Sequence, residues 1–205
     1  MEIFGLILAG GEGRRMGGVD KAWLSLGGQP LLAHVHNRLA PQVARLAVSA
    51  NGTPERFTAW CKDLPVLPDP PAHLHDGPLA GILAGLDWAS LAGAAGLVTV
   101  AVDTPFIPAD LVARLVPAGA GAGAQAEPAQ AVSQGRGHPT LAYWPCAWRG
   151  QVAQALAAGE RRLGARLARA RRVEFADLPD PFFNINTPED LQLAQARHDA
   201  LGTGK

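Results

Sequence analysis

The segment Leu6–Lys21, LILAGGEGRRMGGVDK, sets five glycines, two arginines, an aspartate and a lysine behind a short apolar run. Glycines let backbone amides close on phosphate oxygens without side-chain interference. The loop is not a P-loop, because no G-x-x-x-x-G-K-S/T occurs, nor the dinucleotide fingerprint, because Met16 stands where the third glycine belongs. It brings its own cations, Arg14, Arg15 and Lys21, and that charge beside bare amides predicts a nucleoside triphosphate site. The competing reading is a glycine-rich surface turn with solvated arginines.

Asp103 closes the apolar run GLVTVAVD and is followed by Thr104 and Pro105. Triphosphates arrive with Mg²⁺, which takes oxygen ligands from one or two carboxylates plus phosphates. Asp103 is therefore the candidate metal ligand; otherwise it caps or turns the helix that follows. Asp69 could accept hydrogen bonds from N1–H and the exocyclic amine of guanine, a pairing adenine cannot offer, and Asn51 could hold the base or ribose. Both are otherwise ordinary turn residues. Gly77, Gly81 and Gly85 recur every four residues and leave one helix face bare, for a flat ligand or for close packing on a strand.

Other signals are weaker. His34/His36 and His73/His75 are spaced by two, which does not share a helix face, so a metal pair is rejected. His138 in GHPT is either a site residue or a buried, satisfied histidine. Arg161, Arg162, Arg166, Arg169, Arg171 and Arg172 form a solvated face or receive an anionic substrate. No Gly-x-Ser-x-Gly pattern supports nucleophilic hydrolysis.

The elements that must position these residues follow from periodicity. Strands are predicted at 3–9, 44–51, 64–69, 96–103, 137–144 and 171–175, the first and fourth being apolar throughout, as in strands buried on both faces. Helices are predicted at 30–39, 54–61, 77–91, 108–116, 148–159, 160–170 and 184–198, the last with Thr187 as N-cap and Pro188 at N1. The tract AGAGAGAQAEPAQA, 118–131, reads as a low-complexity loop. Alternating strands and helices predict an α/β fold, a mostly parallel sheet with helices on both faces, whose ligands sit beyond the carboxyl ends of the strands. Gly10, Asn51, Asp69 and Asp103 all fall there.

The 205 residues are enough for one domain, 48% hydrophobic and 18% charged. Zero net charge argues against a nucleic-acid partner. The opening apolar run is too short for a signal peptide or membrane span. Cys61 and Cys146 are far apart with no metal spacing, so they read as bystander thiols of a cytoplasmic protein.

The motifs LAGGEGRRMGGVDK, SAN, GPLAG, VDTPFIP, GHPT, GERR and NINTPEDL run in order from Leu8 to Leu191. Together they resemble the molybdenum cofactor guanylyltransferase family, within the glycine-rich nucleotidyltransferases. The resemblance implies a three-layer Rossmann-like domain over 1–200, with a nucleotide half at about 1–105 and an acceptor half at about 106–200. It implies transfer of GMP from GTP to the terminal phosphate of molybdopterin or Mo-molybdopterin, with Mg²⁺, releasing pyrophosphate. Leu8, Ala9, Gly10, Lys21, Asn51, Asp69 and Asp103 would contact GTP, Asp103 would bind Mg²⁺, and Asn184 and Asn186 would lie near the reacting phosphates or the pterin. Gly11, Arg14, Gly77 and Gly81 join the binding set, and Lys21, Arg15 and Asp103 are expected to carry the chemistry. The implied partners are cofactor-delivering and molybdoenzyme-maturation proteins, with no nucleic acid and no membrane. Ala101 departs from the cysteine or proline common at its place. The rival readings are a cytidylyltransferase or sugar-phosphate nucleotidyltransferase of the same fold, and a non-catalytic GTP-binding regulator.

Overall fold

The apolar run IFGLIL forms β1 (Ile3–Leu8), and the residues from Phe4 onward are buried because both faces of the strand are covered. The computed structural model describes residues 1–10, 20–58, 60, 63–117 and 126–202. After β1 come β2 (Ser25–Leu26), β3 (Gln29–Pro30), α1 (Leu31–Leu39), β4 (Arg45–Ser49), α2 (Glu55–Thr58), β5 (Val66–Leu67) and α3 (Pro78–Leu91). The second half adds β6 (Gly96–Ala101), α4 (Leu111–Leu115), β7 (Ala129–Ser133), β8 (Arg136–Pro145), α5 (Arg149–Ala157), α6 (Leu163–Arg166), β9 (Arg171–Glu174) and α7 (Pro188–Gly202).

The central sheet has seven strands in the order β5-β4-β1-β6-β8-β7-β9. The first four are parallel neighbours, β8 is antiparallel to both β6 and β7, and β9 returns parallel to β7. One core, with Val35 and Leu39 of α1 and Leu111 and Leu115 of α4, fills one face; another, with Leu79, Ile82 and Leu86 of α3 and Val152 and Leu156 of α5, fills the other. These are the three layers the strand–helix alternation predicts, and one continuous sheet runs through both halves of the chain.

The bare face of α3 serves packing. A Cβ on Gly85 would come within 2.6 Å of Leu6 and 2.8 Å of Leu97 side chains, and one on Gly81 within 2.1 Å of Ser49 Oγ. The helix lies against β1, β4 and β6 at a distance only glycine permits, so no flat ligand lies along that face.

Two predicted elements change and one is added. The 160–170 helix shrinks to Leu163–Arg166, because Glu160 Oε1 takes the backbone amides of Arg161 and Arg162 ahead of it. Of the loop predicted at 118–131, 118–125 lie outside the described residues and the end belongs to strand β7, whose alanines are buried by β8 and β9 rather than held by their own propensity. A hairpin not predicted at all, β2–β3, turns on Gly27 (φ 56°) and Gly28 (φ 78°), a left-handed pair that glycine adopts without strain. Among the described residues, no helix is long and apolar enough to cross a membrane.

Two histidines, His138 buried and His34 half-buried, make stability depend on pH. Burial pushes the His34 and His138 imidazoles below their ordinary value of 6.5. Below that value the unfolded chain takes up protons that the folded chain refuses, so folding is penalised as pH falls. Thermal melts should be level from pH 8 to about 6.5 and decline below it, and replacing either imidazole by glutamine should flatten the decline.

Candidate active site

The carboxyl ends of the parallel strands open onto a cleft of about 460 Å³, the size of a small-ligand site. Leu8, Ala9, Gly10, Lys21, Asn51, Asp69, Gly77 and Asp103 line it as expected. Ser49, Pro78, Val102 and Thr140 line it without having been proposed as site residues, as do His75, rejected above as half of a metal pair, and Ala101. Gly11, Arg14 and Arg15 lie outside the described residues. Gly81 does not reach the cleft, because Ser49 occupies the space over its Cα.

At one end stands a charged cluster. Asp20 Oδ1 accepts the Ala22 amide at 3.1 Å and caps the 3-10 turn Lys21–Trp23. That turn presents Lys21, whose Nζ donates to Asp103 Oδ2 at 2.8 Å and to Asn186 Oδ1 at 2.7 Å. The Lys21 and Asp103 side chains are each 16% exposed, sheltered enough for their charges to matter. Asp103 caps no helix; the residue before α4 is Asp110. Its backbone carbonyl instead accepts the Ile185 amide at 2.9 Å, and Thr104 Oγ1 donates to Asn184 Oδ1 at 3.2 Å. Asn184 is thus held beside the cleft and Asn186 within the cluster. Their segment enters α7 through a capping box: Thr187 Oγ1 accepts the Asp190 amide, and Asp190 Oδ2 accepts the Asn186 and Thr187 amides.

At the other end Asn51 and Asp69 clasp each other. Asn51 Nδ2 donates to Asp69 Oδ2 at 2.7 Å, and the Asp69 amide donates to Asn51 Oδ1 at 2.9 Å. The His75 amide also reaches Asp69 Oδ2, at 3.2 Å, from a left-handed backbone at φ 66°. A carboxylate has more acceptor sites than these two bonds use, so Asp69 keeps capacity for a ligand. Arg56 ties the two ends together, donating to Asp20 Oδ2 at 2.6 Å and to the Asn51 carbonyl at 3.2 Å. No motif marks Arg56 or His75; only the folded chain brings them here. Of the arginine run, Arg161 is engaged by Asp76 at 2.8 Å.

Among the described residues, no three His, Cys, Asp or Glu side chains gather as a metal site. Asp103 Oδ2 and the Asn186 amide oxygen meet around one ammonium group. One carboxylate with hard oxygen neighbours fits an ion that completes its shell with phosphates and water, as Mg²⁺ does, and does not fit zinc.

Residues 5–173 match the MobA-like NTP transferase domain. The chain is 53% identical over 204 residues to a protein of Cereibacter sphaeroides named molybdenum cofactor guanylyltransferase, covering 98% of this chain and 100% of that one. Its fold is similar to that of molybdopterin-guanine dinucleotide biosynthesis protein A from Archaeoglobus fulgidus, with TM-score 0.75 and 24% identity over 96% of this chain and 99% of that one. A Mycobacterium tuberculosis H37Rv protein solved in complex with manganese shares the fold at TM-score 0.66 and 15% identity, over 96% and 99% of the two chains.

Proposed function

This chain belongs to the family of MobA-like NTP transferase domains, and from that premise we propose that it transfers GMP from GTP to the terminal phosphate of molybdopterin, or its molybdenum-loaded form, releasing pyrophosphate. The observation that carries this reading is the cluster of Lys21, Asp103 and Asn186 in the same cleft as the Asn51–Asp69 clasp. One end suits phosphates and the other a purine edge.

A phosphate monoester has a second pKa of about 6, so the acceptor is mostly dianionic at neutral pH and needs no general base. A bond forms between an acceptor phosphate oxygen and the α-phosphorus of GTP, and the bond from that phosphorus to the bridging oxygen of the β-phosphate breaks. The difficulty is charge: each like-charged pair at 4 Å repels by about 4 kcal/mol at an effective dielectric near 20. Lys21 offsets part of this from a fixed position, and Asn186 keeps its ammonium aimed. Asp103, with Asn186 beside it, would hold a divalent metal, for which we name Mg²⁺ and which would supply positive charge to offset that of the phosphates and of the departing pyrophosphate. Asp69 accepts from the guanine edge while Asn51 holds the carboxylate in register. Leu8, Ala9, Gly10 and Gly77 border the nucleotide, and the triphosphate contacts expected of Gly11, Arg14 and Arg15 rest on the glycine motif alone. Asn184, and the acceptor half from about residue 106, face the pterin. The reading carries a cytoplasmic setting, where GTP is supplied, and onward delivery of the product to cofactor-carrying and molybdoenzyme-maturation proteins.

The test mixes the protein with Mg²⁺, molybdopterin and each of GTP, CTP, ATP and UTP, and measures pyrophosphate. Release with GTP should exceed release with ATP by about a hundredfold or more, because ATP leaves buried acceptors unpaired. Preferential release with CTP would overturn the base assignment. GTP binding with no release from any nucleotide would overturn the activity in favour of a GTP-binding regulator.

A further inference from the structure

Of the GHPT motif, Thr140 lines the cleft, while His138 has had no part in the site described so far. His138 lies in β8 and is buried, and its Nε2 stands 2.8 Å from Oγ of Ser133, which is buried at the end of β7. The same Oγ is 2.7 Å from Asp180 Oδ1. A carboxylate only accepts, and a hydroxyl has one proton to give. The Ser133 proton therefore goes to Asp180, and Ser133 Oγ is left to accept from His138. That requires the proton of His138 on Nε2. The ring is held there against Phe182, with centroids 5.0 Å apart.

Asp180 begins the segment that ends in the site. Its Oδ1 also accepts the Phe182 amide at 3.0 Å, and its backbone carbonyl accepts from Arg197 of α7. Five residues on, the Ile185 amide bonds to the Asp103 carbonyl; Asn184 accepts from Thr104, and Asn186 accepts from Lys21. The stretch 180–186 is thus a strap, pinned at one end to β7 and β8 and at the other to the charged cluster.

We propose that His138 and Ser133 are positioning residues for the transfer reaction: the chain of donors from His138 through Ser133 to Asp180 sets where the strap holds Asn184 against Thr104 and Asn186 against Lys21. This rests on the guanylyl-transfer reading. Burial keeps the imidazole neutral by lowering its pKa, so a single tautomer serves at neutral pH. Without that donor, Ser133 loses its fixed orientation and the Asp180 turn loses its anchor. The Asn51–Asp69 end of the cleft shares none of these contacts, so nucleotide affinity should survive while turnover falls.

Three variants test this by steady-state pyrophosphate release at saturating Mg²⁺ and molybdopterin, with activity counted per folded molecule. His138→Leu should lower kcat about tenfold or more, since a displacement near 1 Å costs up to a hundredfold, with KM for GTP unchanged. His138→Gln, whose amide N–H can reach the same Oγ, should restore most of that kcat. The pair Ser133→Ala with His138→Leu should be no slower than His138→Leu alone, as members of one chain are not additive. If His138→Leu does not fold, Ser133→Ala alone takes its place with the same expectation. Unchanged kcat in the folded variant, or a glutamine variant as slow as the leucine one, overturns the proposal while a wild type active with GTP leaves the transfer reading standing. A wild type that releases nothing from GTP overturns both.

Discussion

Asp103→Asn should lower guanylyl transfer by about a thousandfold, the scale of losing a group that stabilises developing charge, and leave the fold intact. Asparagine keeps the shape and an oxygen that Lys21 can still donate to at its 2.8 Å distance. What it removes is the negative charge, which is what a divalent ion needs from this position. The loss should therefore be in kcat and in the Mg²⁺ concentration needed for half-maximal rate, with GTP affinity in the absence of acceptor little changed at high Mg²⁺. The backbone around it is held by the Ile185 amide, which does not depend on the carboxylate, so the melting temperature should move by no more than about 4 °C, the shift of roughly 1 kcal/mol in a domain of this size. A rate within threefold of wild type at ordinary Mg²⁺ would remove Asp103 from the metal role.

Much of this arrangement is legible in the sequence because it rests on local signals. An apolar run ending in a polar residue marks β1 before Gly10 and β6 before Asp103, and parallel-sheet topology places those ends on one edge. Thr187 and Pro188 mark the start of α7, as the capping bonds bear out. What was not legible depends on partners distant in the chain. Gly81 and Gly85 have the same spacing whether they admit a ligand or a β-strand, and only the position of Ser49 and Leu6 decides for the strand. Strand β7 is written in alanine, glutamine, valine and serine, and becomes a strand because β8 and β9 flank it. Arg56 sits in a one-turn helix with no distinguishing pattern, yet it joins the Lys21 turn to Asn51. Asp180 and Ser133 are 47 residues apart in a chain with no motif linking them.

Lys21→Ala should cost a comparable factor, about a hundredfold to a thousandfold in kcat, by a different route that the assay can separate. Its ammonium is bonded at once to Asp103 and Asn186, so it neutralises the cluster now and can turn to phosphate oxygens when they arrive. Removing it leaves the carboxylate without its cation, and the cost to folding is on the order of 1 kcal/mol because both side chains retain some water. A thousandfold in rate is about 4 kcal/mol of barrier, so turnover should fall far more than stability. Raising Mg²⁺ should not rescue this variant, whereas it should partly rescue Asp103→Asn. Lys21→Arg should also be slow: the planar fork of a guanidinium cannot place one compact charge between two oxygens at 2.7 and 2.8 Å. If the two residues act as one unit, the double variant should be little slower than the worse single one. Fully additive losses would mean instead that Lys21 and Asp103 serve separate steps, and an alanine variant with wild-type turnover would take Lys21 out of the reaction altogether.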